Sequence, residues 1–314
     1  MRTIWITGAA GFIGTMLSSL LVREGDRCFG LDVRAAERSS IETAQFVTGA
    51  VSEAALAALL DLSGPPDAVF HLAGGSAVGP SFSDPAADFA ATAGSTSAML
   101  DFLRRRAPSA IVVLPSSAAV YGSDHDGAIA ETASPHPVSP YGAHKLIMEA
   151  LADSYGRFFG LDIRVARLFS VYGRGLRKQL LWDLCGKLAA GDGAVTLGGT
   201  GQELRDFIHG ADVARALRTL SLPDVLISPA VVNIGSGQAS SVKLIAGTVA
   251  SSWQERTGRA AFIEFNGDSR PGDPASLFAA TGRMQTLGFA PEISLEAGLR
   301  DYVDWYLADA GLKR

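Results

Sequence analysis

Only two cysteines, Cys28 and Cys185, occur in 314 residues, far apart and in no CxxC spacing. That excludes a disulfide framework and a thiolate metal or redox motif, and fits a reduced, cytoplasmic setting. Nowhere do apolar residues run together for the roughly 18 positions that a membrane-crossing helix needs. The opening stretch MRTIWITGAAG runs straight into a strand-like segment with no cleavable hydrophobic region. Long runs of one charge sign are also missing, and 27 basic against 32 acidic residues leave a net charge of −5. Neither nucleic acid nor a membrane is therefore expected as a partner. The densest basic cluster, Arg104, Arg105 and Arg106, reads as a solvated helix end complementing the helix dipole. The five histidines, 71, 125, 136, 144 and 209, show neither HExxH nor paired spacing, so no metal site is expected. No GxSxG elbow is present, which argues against serine-hydrolase chemistry.

What is there is a globular α/β pattern. Hydrophobic residues make up 47% and charged residues 19% of the chain, too apolar for disorder and too weakly charged for a coiled coil. Strand-length apolar runs at residues 3–7, 27–32, 45–48, 68–71, 110–115 and 162–168 alternate with segments of helical period. This alternation predicts a doubly wound parallel sheet with helices on both faces. Runs such as IVVL at 111–114 are continuously apolar, as strands covered on both faces require. Beyond Leu168 glycine-rich turns interrupt the pattern (YGRG at 172–175, LGGTG at 197–201), predicting a smaller C-terminal lobe over 169–314. Residues 206–220 read as a helix and 231–234 as a strand, which returns 206–234 to the first domain, 1–168.

Directly after the first strand comes TGAAGFIG, residues 7–14, a TGxxGxxG turn opening a helix to about Glu24. Gly8, Gly11 and Gly14 let backbone amides approach a pyrophosphate, and the helix N-terminus supplies partial positive charge. The second strand ends at Asp32, whose carboxylate can accept hydrogen bonds from both ribose hydroxyls and repels a 2′-phosphate. NAD is preferred on that ground, although Arg34 and Arg38 stand just beyond.

Tyr141 and Lys145 lie four residues apart, on one face of a helix that Pro140 helps to start. A neighbouring ammonium and a cationic nicotinamide favour phenolate, which makes Tyr141 a candidate acid/base. Ser116 and Ser117 end a parallel strand at its carboxyl edge, where ligands of open α/β sheets bind.

Together TGAAGFIG, HLAG (71–74), SSAAVYG (116–122), YGAHK (141–145), RDFIHGADVARAL (205–217), NIGSG (233–237) and RPGDP (270–274) resemble the extended short-chain dehydrogenase/reductases, specifically the nucleotide-sugar epimerase/dehydratase group. The resemblance implies a Rossmann-type sheet with a substrate-binding lobe. It implies Ser117, Tyr141 and Lys145 as the catalytic set, with Ser116 as the near neighbour of Ser117. It also implies cofactor contacts from Phe12, Ile13, Leu72 and Ala73 beside the glycines, Asp32 and Arg34, with Tyr141 and Lys145 reaching the cofactor too. Arg205 and Arg270 would hold the diphosphate of a nucleotide sugar, since planar guanidinium forks match phosphate oxygens. Members commonly form homodimers through two helices, here at about 84–106 and 141–159.

The carboxylate pair that follows the catalytic hydroxyl in the group's dehydratases is Ala118 and Ala119 here, so dehydration lacks its general acid and base. A nucleotide-sugar 4-epimerase remains, oxidising C4 transiently and returning the hydride. The loop AGGSAVGPSFSDP (73–85) resembles that of 4-epimerases. A nucleotide 4-keto-6-deoxy-sugar reductase is the alternative within the enzymes, and a non-catalytic dinucleotide-sensing protein the remote one. Departures from the group's pattern fall at Thr92 and Ser170, both asparagine in the group, and at residues 49–52, where Ser52 is the only polar side chain near the adenine position. Leu277 matches a position whose bulk bears on N-acetyl sugars.

Overall fold

A computed structural model describes residues 1–34, 45–191, 193–225, 230–268 and 274–312. Seven strands form the central sheet: β1 (Thr3–Thr7), β2 (Arg27–Asp32), β3 (Gln45–Thr48), β4 (Ala68–His71), β5 (Ile111–Ser117), β6 (Ile163–Leu168) and β7 (Val231–Ile234). Their order is β7-β6-β5-β4-β1-β2-β3, parallel throughout. Because β2 and β4 flank β1, the connections wind in opposite directions on its two sides. The carboxyl ends of these strands are where such sheets leave a crevice.

Alternation within β1 assigns the two layers. Ile4 and Ile6 join the core cluster of α1 (Phe12–Arg23), whereas Trp5 joins the opposite one with Leu56, Met99 and Met148. That second layer is built by α2 (Glu53–Ser63), α3 (Ser95–Arg106) and α4 (Pro140–Phe159). Ser139 caps α4, its Oγ accepting from the Gly142 amide at 3.1 Å, and Pro140 occupies the first turn, where no amide is needed.

Three local expectations differ from the structure. The strand read as 110–115 runs to Ser117, outreaching β4, whose pairing stops at Val113. Pro115 is tolerated there because its backbone faces the side on which β4 has ended, so no ladder bond is lost. The helix read as starting at 206 starts at 210, as α5 (Gly210–Leu220). Before it, Phe207–His209 forms a short parallel strand with Ser170–Tyr172, and the His209 ring accepts the Ala211 amide as the cap. The segment read as one helix over 84–106 comprises Pro85–Phe89, a π-turn at Ala90–Gly94 and α3.

After β6 the chain builds a second core from Gln179–Ala190, Val242–Thr257 and Leu295–Asp309, centred on Trp253, Tyr302 and Leu184. Between these helices the chain returns to the sheet as α5 and β7.

Candidate active site

A cleft of about 1890 Å³ opens at the carboxyl ends of the central strands. It is lined by Gly8, Gly11, Phe12, Ile13, Gly14, Asp32, Arg34, Leu72, Ala73, Ser116, Ser117, Tyr141, Lys145, Ser170 and Arg205. Every described residue singled out in the sequence as a candidate site residue is thus in one place. Arg270 and Arg38 lie outside the described residues.

The glycine turn is sterically forced. Gly8 has φ +70°, and a Cβ there would come within 2.7 Å of the Leu72 and Ala73 backbone. A Cβ on Gly14 would collide with the Gly8 carbonyl. Gly11, the residue before α1, offers no side-chain cap, so the first amides of that helix open into the cleft and suit an anionic group. At the end of β2, Asp32 is buried, its carboxylate accepting from the Ala10 amide and the Arg34 amide, each at 3.0 Å. These residues fit a dinucleotide: open helix amides for the pyrophosphate and a carboxylate for a ribose. Ser52, by contrast, spends its hydroxyl on capping α2 through the Ala55 amide.

Next to this cradle, Ser117 ends β5 with its hydroxyl accepting the Ala119 amide at 3.2 Å, and it lines the same cleft wall as Tyr141. Ser116, one residue earlier on the other strand face, turns inward. It is 3% exposed and donates to Glu149 at 2.5 Å, and Glu149 is paired with the buried Arg167 at 2.6 Å. The Lys145 ammonium donates to the Pro115 carbonyl at 3.0 Å, the carbonyl that β4 leaves unclaimed, and stands 5.8 Å from the Tyr141 ring centre.

Burial pushes the Tyr141 phenol above its ordinary value, while the Ser117 hydroxyl draws it back and Asp88 adds to the rise. Burial also lowers the Lys145 ammonium to about 8, against the raising influence of Asp88 and Glu149.

Two contributors had no sequence signal. Asp88 approaches α4 and bonds His144, 56 residues away, at 2.6 Å. Lys178 donates to Ser76 at 2.8 Å, where the second lobe meets the 73–85 loop. His71 closes β4 between Thr7 and Ser95, at 2.8 and 3.2 Å, and reads as a core residue. His136 is exposed.

Residues 4–235 match the NAD dependent epimerase/dehydratase family. The chain belongs to that family. A UDP-glucose 4-epimerase of Azospirillum brasilense is 30% identical over 324 residues, covering 96% of this chain and 91% of that protein. MoeE5, solved in complex with UDP-glucuronic acid and NAD, superposes with a TM-score of 0.84 at 31% identity, covering 98% of this chain and 99% of that one. The UDP-glucose 4-epimerase of Thermotoga maritima, solved with UDP-glucose, gives 0.86 at 25% identity over 98% and 99% of the two chains. As a member of an NAD-dependent enzyme family, the protein takes NAD as its cofactor, and the glycine turn with Asp32 is the part of the cleft that fits it.

Proposed function

We propose that this protein is an NAD-dependent nucleotide-sugar 4-epimerase acting on UDP-sugars. The observation that carries the reading is that Ser117, Tyr141 and Lys145, the last 5.8 Å from the Tyr141 ring centre and one helical turn on, line one cleft beside a glycine-lined cradle. The relatives named above, which include UDP-glucose 4-epimerases, support the substrate class.

NAD, when bound, supplies the reversible hydride acceptor. Ser117 orients the C4 oxygen of the sugar. Tyr141 takes the C4 hydroxyl proton as phenolate and returns it as phenol, a role in which its raised proton affinity favours the return step. Lys145, held on Pro115, fixes the ammonium within the same pocket. Where a dehydratase needs carboxylates, the cleft presents Ala118 and Ala119, so the C5 proton and the departing hydroxyl find no acid or base there. Arg205, its guanidinium donating to the Leu204 and Pro274 carbonyls at 2.9 and 2.7 Å, stands on the cleft wall to meet the diphosphate. Residues 1–168 with 206–234 serve the dinucleotide and the remainder of 169–314 the nucleotide sugar. The protein is assigned to the cytoplasm as a homodimer through α3 and α4, whose neighbourhood exposes Ile147, Phe158, Phe82 and Phe89; light scattering on the eluting protein tests this.

Purified protein should interconvert UDP-glucose and UDP-galactose, or the corresponding UDP-uronates, without consuming added nicotinamide. Tyr141→Phe should lower kcat by roughly a hundredfold or more. Unchanged turnover in that variant would remove the catalytic assignment, and stoichiometric oxidation of added NADH on a 4-keto sugar would replace epimerase by reductase.

A further inference from the structure

His144 sits between Tyr141 and Lys145 on α4, and its Nδ1 meets the Asp88 carboxylate at 2.6 Å. Both side chains are nearly enclosed, 13% and 8% exposed, and Phe89 covers the imidazole edge-on at 5.4 Å between ring centres. The other Asp88 oxygen is pressed against Gly75, where any Cβ would collide with it. Gly75 in turn donates its amide to Thr92 at 2.9 Å, and a Cβ on the preceding Gly74 would lie 3.8 Å from the Lys145 ammonium. One carboxylate therefore touches the loop lining the cleft and the catalytic helix, and acts through space on Tyr141 and Lys145.

We propose that Asp88 and His144 form a positioning pair that locks residues 74–76 against α4 and sets the electrostatic field at Tyr141 and Lys145. The proposal rests on the epimerase reading only for what Tyr141 does, not for the pair itself. Asp88 is the fixed charge and His144 the donor that holds it in place; an enclosed carboxylate bonded by an imidazole N–H is strong and directional. The other titratable groups acting on this face are Glu149 on α4 and His71 on β4. His71 is held neutral by burial, and Glu149 is engaged by Arg167. Asp88 thus carries a negative charge toward Tyr141 that no other side chain on the 85–89 helix supplies. It favours the ammonium of Lys145 and the protonated phenol of Tyr141, both needed when a proton is handed back to the substrate.

The test is a titration of phenolate absorbance in the purified holoprotein, with Tyr141→Phe as the blank, alongside the pH profile of kcat. Asp88→Asn should move the Tyr141 midpoint down by about half a pH unit or more, roughly threefold in acidity constant, and the acidic limb of kcat should follow. His144→Ala should move it the other way, since the unbonded carboxylate is freer to face Tyr141, whereas His144→Asn, which keeps a donor near the Nδ1 position, should restore it. A midpoint unmoved by Asp88→Asn, or His144→Ala and His144→Asn behaving alike, would overturn the proposal. If Asp88→Asn does not fold, the two His144 variants decide alone. The titration needs no turnover, so a Tyr141→Phe protein that still epimerised would sink the functional reading while leaving the pair to be judged separately.

Discussion

Acid should weaken this fold through His71, and by an amount that can be worked out. The imidazole ends β4 at 2% exposure, with Nδ1 on Thr7 and Nε2 on Ser95. Burial first, and the Lys145 charge second, lower it to about 3 from an ordinary 6.5. In the unfolded chain the ring protonates near its ordinary value, so below that pH the unfolded state holds the extra proton and stability falls with acid. The contribution is complete above pH 6.5 and drains away toward pH 3, at up to about 1.36 kcal/mol per pH unit. At pH 5, about 1.5 units down, the loss from this one ring is about 2 kcal/mol. The assay is urea unfolding of the wild type and of His71→Asn, which keeps a hydrogen-bonding group but cannot titrate, at intervals from about pH 8 to pH 5. The variant should start less stable and the gap should close by about 2 kcal/mol over the range. His209 is lowered by burial as well, but it is present in both proteins and cancels in the difference. Parallel stability curves would refute the reasoning.

Two further outcomes are expected. Arg167→Met leaves the Glu149 carboxylate enclosed without its guanidinium, so stability should drop by about 3–5 kcal/mol in urea unfolding, with most of the loss recovered when Glu149→Met is added; a single variant as stable as the wild type would contradict this. Gly8→Ala places a side chain at φ +70° against the Leu72 and Ala73 backbone, a conformation costing about 1–2 kcal/mol before any collision. The purified variant should lose NAD on desalting, measured as dinucleotide released per chain on denaturation, and undiminished retention would show that the turn tolerates the methyl group.

The sheet was legible because its strands are short apolar runs bounded by glycine and polar turns, a signal carried by adjacent residues. So was the cradle, since Gly8, Gly11 and Gly14 lie within one turn. The three misplaced boundaries share a cause: Pro115 argues against a strand unless the reader knows that β4 has already ended beside it, Phe207–His209 is extended only because Ser170–Tyr172 is its neighbour, and the π-turn at Ala90–Gly94 has no periodicity of its own. The side-chain partnerships were hidden for a related reason. Glu149 with Arg167 and Ser116, and Asp88 with His144, join residues 18 to 56 positions apart, and nothing in spacing links them.

The placement of β7 bears on how the protein is made. The seventh strand is added to the edge of β6 only after about sixty further residues have left the sheet and come back. A nascent chain that has emerged only as far as Leu168 presents β6, with Ile163, Val165 and Leu168, as a bare sheet margin open to pairing with another chain. Synthesis must proceed past Ile234 before that margin is covered. Fragments cut near residue 168 are thus expected to be aggregation-prone halves rather than a self-sufficient nucleotide-binding module.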